Sequence, residues 1–494
     1  MMINMRSNNI TISFKIALVA LVAVVFSTGC TKYLDIPLPA NRTAGEGAYS
    51  TDRSSAATLS HVFAALANGG IFDGASSTGY NTGLYTDELT NINVNSPTNT
   101  AFYTNSVAAS HTGPLWTSLY QSIYNINLTI EGVSASTTLL RKEQWLGEAY
   151  FLRALCYFYL TNYYGDVVLV NTSDFLINKD LGRVPKADIY KQIIDDLLKS
   201  QSLLSNEYKD AAGNTTLIKG RPNKFAATAL LARSYLYTED WANAEMQANN
   251  IITGTIGTGP AYTLLPAADI DKVFLAASAE TIFALVPTGV VKDFSVYNNN
   301  MPATTTANWP INNVFARLNN SLLAAFETNT TIPTAPTDDR RKTYWTRSTT
   351  KTGAETYYFA NKYKATVVGA EFIVLFRLAE QYLIRAEARA KLNKLDDARA
   401  DLNLIRNRAG LAATNAVSQT DLLNSVLKER RMEFFTEVGH RFFDLKRTRT
   451  IDAIMAVEAP LKGVGATWNP LKQYFPISEY DISVNPRLTQ TPGY

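Results

Sequence analysis

The chain of 494 residues is poor in the residue types that most often carry out chemistry. It contains only 2 cysteines and 3 histidines, which argues against a disulfide framework and against a cysteine- and histidine-rich metal site. Basic and acidic residues nearly balance, at 46 and 43, whereas a nucleic-acid-binding surface requires clustered positive charge. Beyond residue 30 no apolar run approaches the roughly 20 residues of a membrane-spanning helix. The composition therefore favours a large folded chain with its own hydrophobic core.

The first 30 residues have the order of a secretory signal. Arg6 and Lys15 precede eleven apolar residues, 16–26, and small residues then lead into Cys30. A cysteine directly after Ser-Thr-Gly resembles the lipobox of a bacterial lipoprotein, in which the thiol is acylated, for example with palmitate, and becomes the mature N-terminus. We expect a signal peptide over 1–29, a lipid anchor at Cys30 and a lipidated polar tether over 30–43. Ordinary cleavage that leaves a free thiol is the alternative.

Helical periodicity dominates the rest of the chain. We predict helices over 52–67, 115–132, 142–162 and 186–204, and Gly165 follows the third in the manner of a C-cap. Two later segments, 224–252 and 378–408, each read as a helix, a short turn and a second helix, with small residues where the two helices approach. This spacing resembles the tetratricopeptide helix pair. Cys156 lies on the buried face of a predicted helix, where we expect an inert thiol.

Two segments interrupt the helical pattern. Residues 68–112 are rich in Gly, Asn, Thr and Tyr, and residues 253–370 contain long Asn-, Thr- and Pro-rich stretches with candidate strands at 281–286 and 357–363. The predicted fold is mainly α, with tetratricopeptide-like helix pairs forming a scaffold over about 44–252 and 371–494. An irregular, loop-rich subdomain with a few short strands, over about 253–370, completes a single domain, 44–494.

The irregular segments combine aromatic rings with amides, and this composition suits sugar recognition. A ring stacks on the apolar C–H face of a sugar, while neutral amides and hydroxyls bond its hydroxyl groups. On this basis we expect ligand-binding residues in two loop regions. For each residue taken alone, an ordinary packing role is the alternative. The candidates are Asn93, Tyr103, Tyr297, Asn299, Trp309 and Trp345.

The sequence offers little support for catalysis. His440 and Asp444 stand one helical turn apart and could form a general-base pair, but no nucleophile is placed beside them. The run from Ser348 to Gly353 joins two motifs of penicillin-binding acylases, which in those proteins come from distant parts of the fold. We expect no enzymatic activity, no cofactor and no catalytic or metal-binding residue.

Several stretches together resemble the SusD/RagB family of outer-membrane nutrient-uptake lipoproteins of Bacteroidetes-type bacteria. They are GEAYFLRALCYF at 147–158, the two helix pairs, ERRMEFFTEVGHRFFDLK at 429–446 and the terminal NPRLTQTPGY at 485–494. Within the third stretch, Glu429, Glu433 and Glu437 lie one turn apart, with Arg430, Arg431 and Arg441 as possible partners. We interpret this mixture of charge and aromatic residues as a buried structural network.

The resemblance implies a function and a location. Members of this family cap a SusC-like TonB-dependent transporter and capture nutrients, usually oligosaccharides, without turnover. For this chain it implies a lipid-anchored glycan-binding protein on the exterior of the outer membrane, with no nucleic-acid partner. Uptake of peptides by a lid of the same type is an alternative. Two other functions are alternatives: a helical-repeat interaction scaffold without a small ligand, and a secreted hydrolase.

Overall fold

The computed structural model describes most of the chain beyond the tether: residues 47–74, 76–93, 95–291, 304–305, 316–328, 339–351, 356–463 and 465–494. The predictions for the signal peptide, the lipid anchor at Cys30 and the tether lie outside these ranges. Within them, no helix combines the length and the apolar character needed to cross a membrane.

Helices make up most of the described residues, which confirms the predicted fold class. The α-helices are α1 Asp52–Asn68, α2 Thr78–Tyr85, α3 Pro97–Tyr103, α4 Ala109–Ala135, α5 Lys142–Tyr164, α6 Phe175–Asn178, α7 Lys186–Leu203, α8 Lys224–Tyr237, α9 Trp241–Ile252, α10 Asn320–Ala325, α11 Arg340–Trp345, α12 Leu378–Lys391, α13 Leu395–Arg408, α14 Gln419–Glu433, α15 His440–Arg447, α16 Ile451–Glu458 and α17 Glu479–Val484. Short 3-10 turns occupy Gly47–Tyr49, Ala267–Lys272, Ala459–Lys462 and Pro470–Gln473.

The strands are short and form small separate sheets. They are β1 Leu89–Asn91, β2 Val167–Val168, β3 Arg183–Val184, β4 Thr255–Ile256, β5 Gly259–Pro260, β6 Thr281–Leu285, β7 Thr304–Thr305, β8 Ala316–Leu318, β9 Thr346–Lys351, β10 Thr356–Ala360 and β11 Ile373–Arg377. Antiparallel pairs join β1 to β8, β2 to β3, β4 to β5, β6 to β11 and β9 to β10, while β7 runs parallel to β9. Most of them fall in the stretch predicted to be irregular.

The helices begin and end where the sequence signals them. The Thr51 and Asn223 side chains accept hydrogen bonds from backbone amides in the first turns of α1 and α8, satisfying donors that lack a partner within the helix. Gly165 ends α5 with φ of +76°, a conformation that a residue with a Cβ adopts at a cost. The predicted helix boundaries are therefore correct to within a few residues for most of the scaffold.

The scaffold helices form a continuous packed array. Eight helices pack one against the next in the following order: α4, α5, α7, α8, α9, α12, α13 and α14. The two tetratricopeptide-like pairs, α8 with α9 and α12 with α13, lie next to each other within it because α9 packs on α12. Small buried side chains line these contacts, among them Ala232, Ala244 and Ala248. Close approach of helices through alanines is what the sequence spacing predicted.

The segment 68–112 contains regular secondary structure, so the prediction that this segment is irregular is wrong. It contains α2, α3 and β1. Ser77 and Ser96 cap the two helices by accepting from the backbone amides of Tyr80 and Asn99. Both helices are only about two turns long, so they show too few periods for a sequence pattern to reveal them. Helix α4 also starts earlier than predicted, at Ala109, although Pro114 lies in its second turn and has no backbone N–H to donate to residue 110.

Candidate ligand-binding site

A strand of the first loop region pairs with the strand that follows the second loop region in sequence. Strand β1 pairs antiparallel with β8, and Asn91 lies opposite Ala316 at the end of this ladder. Asn93 follows β1 by two residues, and β8 begins directly after the undescribed residues 306–315. Residues that are more than 200 positions apart in sequence therefore share a surface. We call the surface around this ladder the β1–β8 surface; it comprises Asn91, Asn93, Tyr103, Arg317 and Tyr357.

Two of the predicted ligand-binding residues lie on the β1–β8 surface. Tyr103, the last residue of α3, is half-buried, and burial raises the pKa of its hydroxyl while a hydrogen bond with Thr90 acts in the opposite direction. The Asn93 backbone amide donates to Asn91 Oδ1 at 3.1 Å, which holds the turn after β1. The Asn93 side-chain amide forms no hydrogen bond with a described residue and is half-exposed. The β1–β8 surface therefore carries both a half-buried ring and an amide that is open to a ligand.

Arg317 and Tyr357 were missed by the sequence reasoning. The Arg317 guanidinium lies 5.0 Å from the centre of the Tyr357 ring and donates to Asn320 Oδ1 at 3.1 Å. Arg317 comes from β8 and Tyr357 from β10, which packs against β8. Nothing in the sequence distinguishes a single arginine in a three-residue strand, so only the fold brings this pair to the surface. A stacked guanidinium and phenol ring add planar and hydrogen-bonding groups to the site.

Buried charges anchor the start of β1 to the C-terminal helices. Asp87, two residues before β1, accepts from Arg441 at 2.7 and 2.9 Å, and Arg431 Nη2 lies 2.8 Å from Asp87 Oδ2. Burial alone would raise the pKa of this carboxyl, but the two guanidinium groups hold it at about 2. The adjoining Glu88 is fully buried, and desolvation, together with the negative charge of Asp87, raises its pKa to about 8. One ionised and one neutral carboxyl therefore fix the base of the site.

The buried network predicted for the segment 429–446 is present, but most of its cations come from elsewhere in the chain. Glu429 accepts from Arg341 at 2.6 Å, and Glu433 and Glu437 both accept from Arg377. Arg341 lies in α11 and Arg377 in β11, so the carboxylates join the helices to the irregular segment. Guanidinium groups lower the pKa of Glu433 despite its complete burial. The network holds the segment that carries the β1–β8 surface against the scaffold.

The prediction that Trp345 contacts ligand is corrected. Its side chain is fully buried, and its indole nitrogen donates to the Ile270 carbonyl at 2.9 Å. The ring packs against Phe274, with centroids 5.6 Å apart, and lies 4.8 Å from the Lys362 ammonium. Because neighbouring residues at the end of α11 point in different directions, Tyr344 is the exposed member of the aromatic pair. Trp345 therefore serves the core.

The remaining predicted binding residues lie outside the described residues. They are Tyr297, Asn299 and Trp309. In sequence, β7 lies between Asn299 and Trp309, and β8 follows Trp309; Thr304 of β7 pairs with Thr350 of β9. Their roles stay predictions.

A separate small cavity of about 280 Å³ opens between the 69–81 segment and the start of α4. Its lining includes the rings of Phe102, Tyr163 and Phe475, together with polar side chains such as His111. Asn81, also in the lining, donates through Nδ2 to the Ser76 carbonyl at 2.9 Å, and its Oδ1 has no partner among the described residues. The cavity has the mixed aromatic and amide character expected for a polar ligand.

The described residues do not assemble the catalytic arrangement considered from the sequence. His440 is buried and stacks on Phe434 at 4.6 Å, and burial, reinforced by nearby guanidinium groups, lowers its pKa well below the usual range. Asp444 is engaged by Arg430 and Arg447, each at 2.7 Å, rather than by the imidazole. Across the described ranges, no group of three or more His, Cys, Asp or Glu side chains is suited to hold a metal ion.

The architecture defines a class: a mainly α protein with tetratricopeptide-like helix pairs and an irregular, strand-containing segment fastened to them by buried ion pairs. Comparison with known sequences assigns the chain to a family with this architecture. A model of the SusD family matches residues 316–494, and a model described as starch-binding associating with outer membrane matches residues 52–236. The chain belongs to the SusD/RagB family.

Curated relatives and solved structures extend this result over most of the chain. The SusD-like protein P25 of Formosa agariphila is 24% identical over 442 residues, covering 78% of this chain and 80% of that protein. A SusD superfamily protein from Bacteroides vulgatus is similar in structure, with a TM-score of 0.73, 20% identity and coverage of 90% of this chain and 99% of that one. A structure described as a laminarin binding SusD-like protein gives a TM-score of 0.71 at 21% identity, covering 90% of this chain and 100% of that one.

Proposed function

We propose that this protein is a non-catalytic, lipid-anchored receptor on the outer surface of the outer membrane that captures an oligosaccharide and delivers it to a SusC-like TonB-dependent transporter. The observation that carries the proposal is the β1–β8 surface. It gathers a half-buried ring at Tyr103, an open amide at Asn93 and the stacked pair of Arg317 and Tyr357. These are the groups that stack on a sugar ring and bond its hydroxyls.

Family membership supports the same assignment. One matching family model is described as starch-binding and associating with the outer membrane, and one structural neighbour is described as laminarin binding. Anchoring through Cys30, delivery to a transporter and the absence of turnover are parts of the proposal that follow from the resemblance. The order of a basic stretch, an apolar run and a cysteine over residues 6–30 supports the anchor.

Calorimetry of the mature chain tests the proposal. The titrants are neutral oligosaccharides of six or more rings with different linkages, and a set of peptides of similar length serves as the comparison. We expect one glycan to bind and Tyr103→Ala to weaken that binding by about fivefold, since a lost aromatic contact costs on the order of 1 kcal/mol. The matched control is Tyr235→Ala, which removes another half-buried tyrosine, one on the scaffold helix α8.

The alternatives give different outcomes in the same experiment. Binding of peptides and no glycan would replace the sugar by a peptide as the captured nutrient. Binding of neither, together with retention of a large membrane partner during purification, would favour the helical scaffold, which the continuous array of helices could provide. Release of products from a polysaccharide by the purified chain would contradict the non-catalytic assignment.

A further inference from the structure

A groove of about 970 Å³ runs along α4. Its walls come from α4, from α6 and from α17 near the C-terminus. None of the five residues that define the β1–β8 surface lines it. The groove is therefore distinct from the β1–β8 surface, and the proposed function leaves it unused.

One face of α4 presents a row of aromatic rings to the groove. Trp116, Tyr120 and Tyr124 follow each other at intervals of four residues, which places them on the same helix face at steps of about 6 Å along the axis. The Trp116 and Tyr120 ring centroids are 4.6 Å apart. Trp116 is buried at the floor, whereas Tyr124 is 49% exposed. Hydrogen bonds between the Tyr120 hydroxyl and the Val168 backbone, at 2.8 and 2.9 Å, hold the middle ring in place.

A second row, one residue further along α4, carries uncharged hydrogen-bonding groups. Thr117, Gln121 and Asn125 also recur every four residues and line the same groove. The Gln121 and Asn125 side-chain amides form no hydrogen bond with any residue that the structure describes, so their donors and acceptors are open to a ligand. Across the groove, Asn178 donates to the Thr172 carbonyl at 2.7 Å, while its Oδ1 lacks a partner in the described ranges.

The opposite walls add exposed rings and little charge. Phe175 of α6 is 72% exposed and Tyr480 of α17 is 73% exposed. Lys179 and Asp481 are the charged members of the lining, one of each sign. Exposed rings of this size are costly to leave in water and mark an interaction site. Paired rows of rings and neutral amides favour a neutral, hydroxyl-rich ligand over a charged one.

Neighbouring cavities continue the groove along the helix. A cavity of about 280 Å³ at the N-terminal end of α4 shares Tyr480 with the groove. It also shares Ser110 and Pro114 with the cavity that contains Asn81. The three cavities therefore lie in a row along α4, whose 27 residues span roughly 40 Å. A row of this length suits a chain of several sugar rings rather than a single one.

We infer that the α4 groove is a second binding site for a neutral oligosaccharide, which holds a further stretch of a long glycan or a separate glycan chain. The inference rests on the proposed function in one respect, that the protein binds glycans. Rings of Tyr124, Phe175 and Tyr480 stack on the sugar faces, and Gln121 and Asn125 bond the hydroxyls. Affinity then increases with glycan length, because longer chains reach more of the row.

Footprinting with hydroxyl radicals locates the contact without disturbing the fold. The full mature chain is oxidised with and without the tightest-binding neutral oligosaccharide of the calorimetric panel, at saturating concentration. We expect oxidation of Tyr124, Phe175 and Tyr480 to fall severalfold. Met246, which is 47% exposed on α9 and does not line the groove, is the control and should be unchanged. Unchanged oxidation of all three groove rings would overturn the inference.

Paired variants test the energetic role of the rings. Tyr124→Ala combined with Tyr480→Ala removes two exposed rings at little cost to folding, and Tyr124→Phe combined with Tyr480→Phe retains the rings as the matched control. We expect the alanine pair to weaken binding of a long oligosaccharide by about tenfold and to leave a disaccharide unaffected, with the phenylalanine pair close to wild type.

The outcomes separate this inference from the proposed function. If Tyr103→Ala weakens glycan binding while the alanine pair does not at any glycan length, the groove site is refuted and the receptor function stands. If the wild-type chain binds no glycan, both are refuted. If the alanine pair retains glycan affinity but loses a membrane partner that co-purifies with the wild type, the groove is a protein-docking surface and the inference is wrong.

Discussion

Asp87→Asn is the most direct test of how the site is held on the scaffold. Asp87 is buried to 1% exposure between the guanidinium groups of Arg431 and Arg441, and it comes two residues before β1. An asparagine has nearly the same shape but no charge, so the substitution leaves two largely buried cations without their counter-ion. Removing one partner of a buried ion pair typically costs about 3–5 kcal/mol.

The pKa of Asp87 gives an independent magnitude. It is about 2 in the folded protein, against 3.8 for the unfolded chain. This difference of about 2 units corresponds to roughly 2–3 kcal/mol of stability from the ionised carboxyl. Because the folded pKa is the lower one, the contribution is complete above pH 3.8 and is lost as the pH falls through 2. At pH 7 we therefore expect Asp87→Asn to lower the free energy of unfolding by about 3 kcal/mol.

Urea denaturation measures this loss, and glycan binding measures its consequence for the site. Below the unfolding transition we also expect weaker glycan binding, because the start of β1 is no longer held. The matched control is Asp196→Asn, which breaks a buried pair with Arg153, at 2.7 and 2.8 Å, between α5 and α7. This control should lose stability and keep its glycan affinity. Coincident unfolding midpoints for wild type and Asp87→Asn would refute the reasoning.

Three further predictions concern buried groups. The folded pKa of Glu88, about 8, lies above its unfolded value of 4.5. Its stabilising contribution is therefore complete below pH 4.5 and is lost as the pH rises through 8. In urea denaturation at a series of pH values, the stability of the wild type relative to Glu88→Gln should fall over that range. Trp345→Ala should destabilise the chain by about 3–5 kcal/mol, measured by urea denaturation, because it empties a core position, and an unchanged midpoint would contradict its placement there. Burial raises the pKa of the Cys156 thiol to about 12, so a thiol reagent should modify it only in urea, and rapid labelling of the native chain would contradict its burial.

The helical scaffold could be predicted because its signals are local. The turn at Asn393 and Lys394, for example, lies between helices whose apolar residues recur at helical spacing, and the structure places α12 and α13 on either side of it. Short elements carry too few periods for this reasoning, which is why α2 and α3 were missed. Boundaries set by a single capping serine, such as Ser77, become recognisable only once the helix is known.

The candidate site was only partly predictable because its residues meet through long-range contacts. The composition of the loops drew attention to Asn93 and Tyr103, which both belong to the β1–β8 surface, and their contact with ligand stays a prediction. Arg317 and Tyr357 join them through strand pairing, and no pattern in the sequence specifies which strands pair. Trp345 misled the reasoning because an aromatic residue in a polar segment can equally be the one that anchors the segment to the core.

The distribution of buried charge explains how a variable loop surface can coexist with a fixed scaffold. Glu433 and Glu437 of the C-terminal segment bind Arg377 at the end of β11, and Arg431 and Arg441 of the same segment bind Asp87 before β1. The C-terminal segment therefore holds both Asp87, just before β1, and Arg377, at the end of β11, through buried charges, and breaking such a pair leaves an uncompensated ion. Asn93 and Tyr103 take part in none of these ion pairs. Substitutions on the β1–β8 surface, at Asn93 or Tyr103, should then alter ligand preference with little loss of stability, whereas substitutions at the anchors should do the reverse.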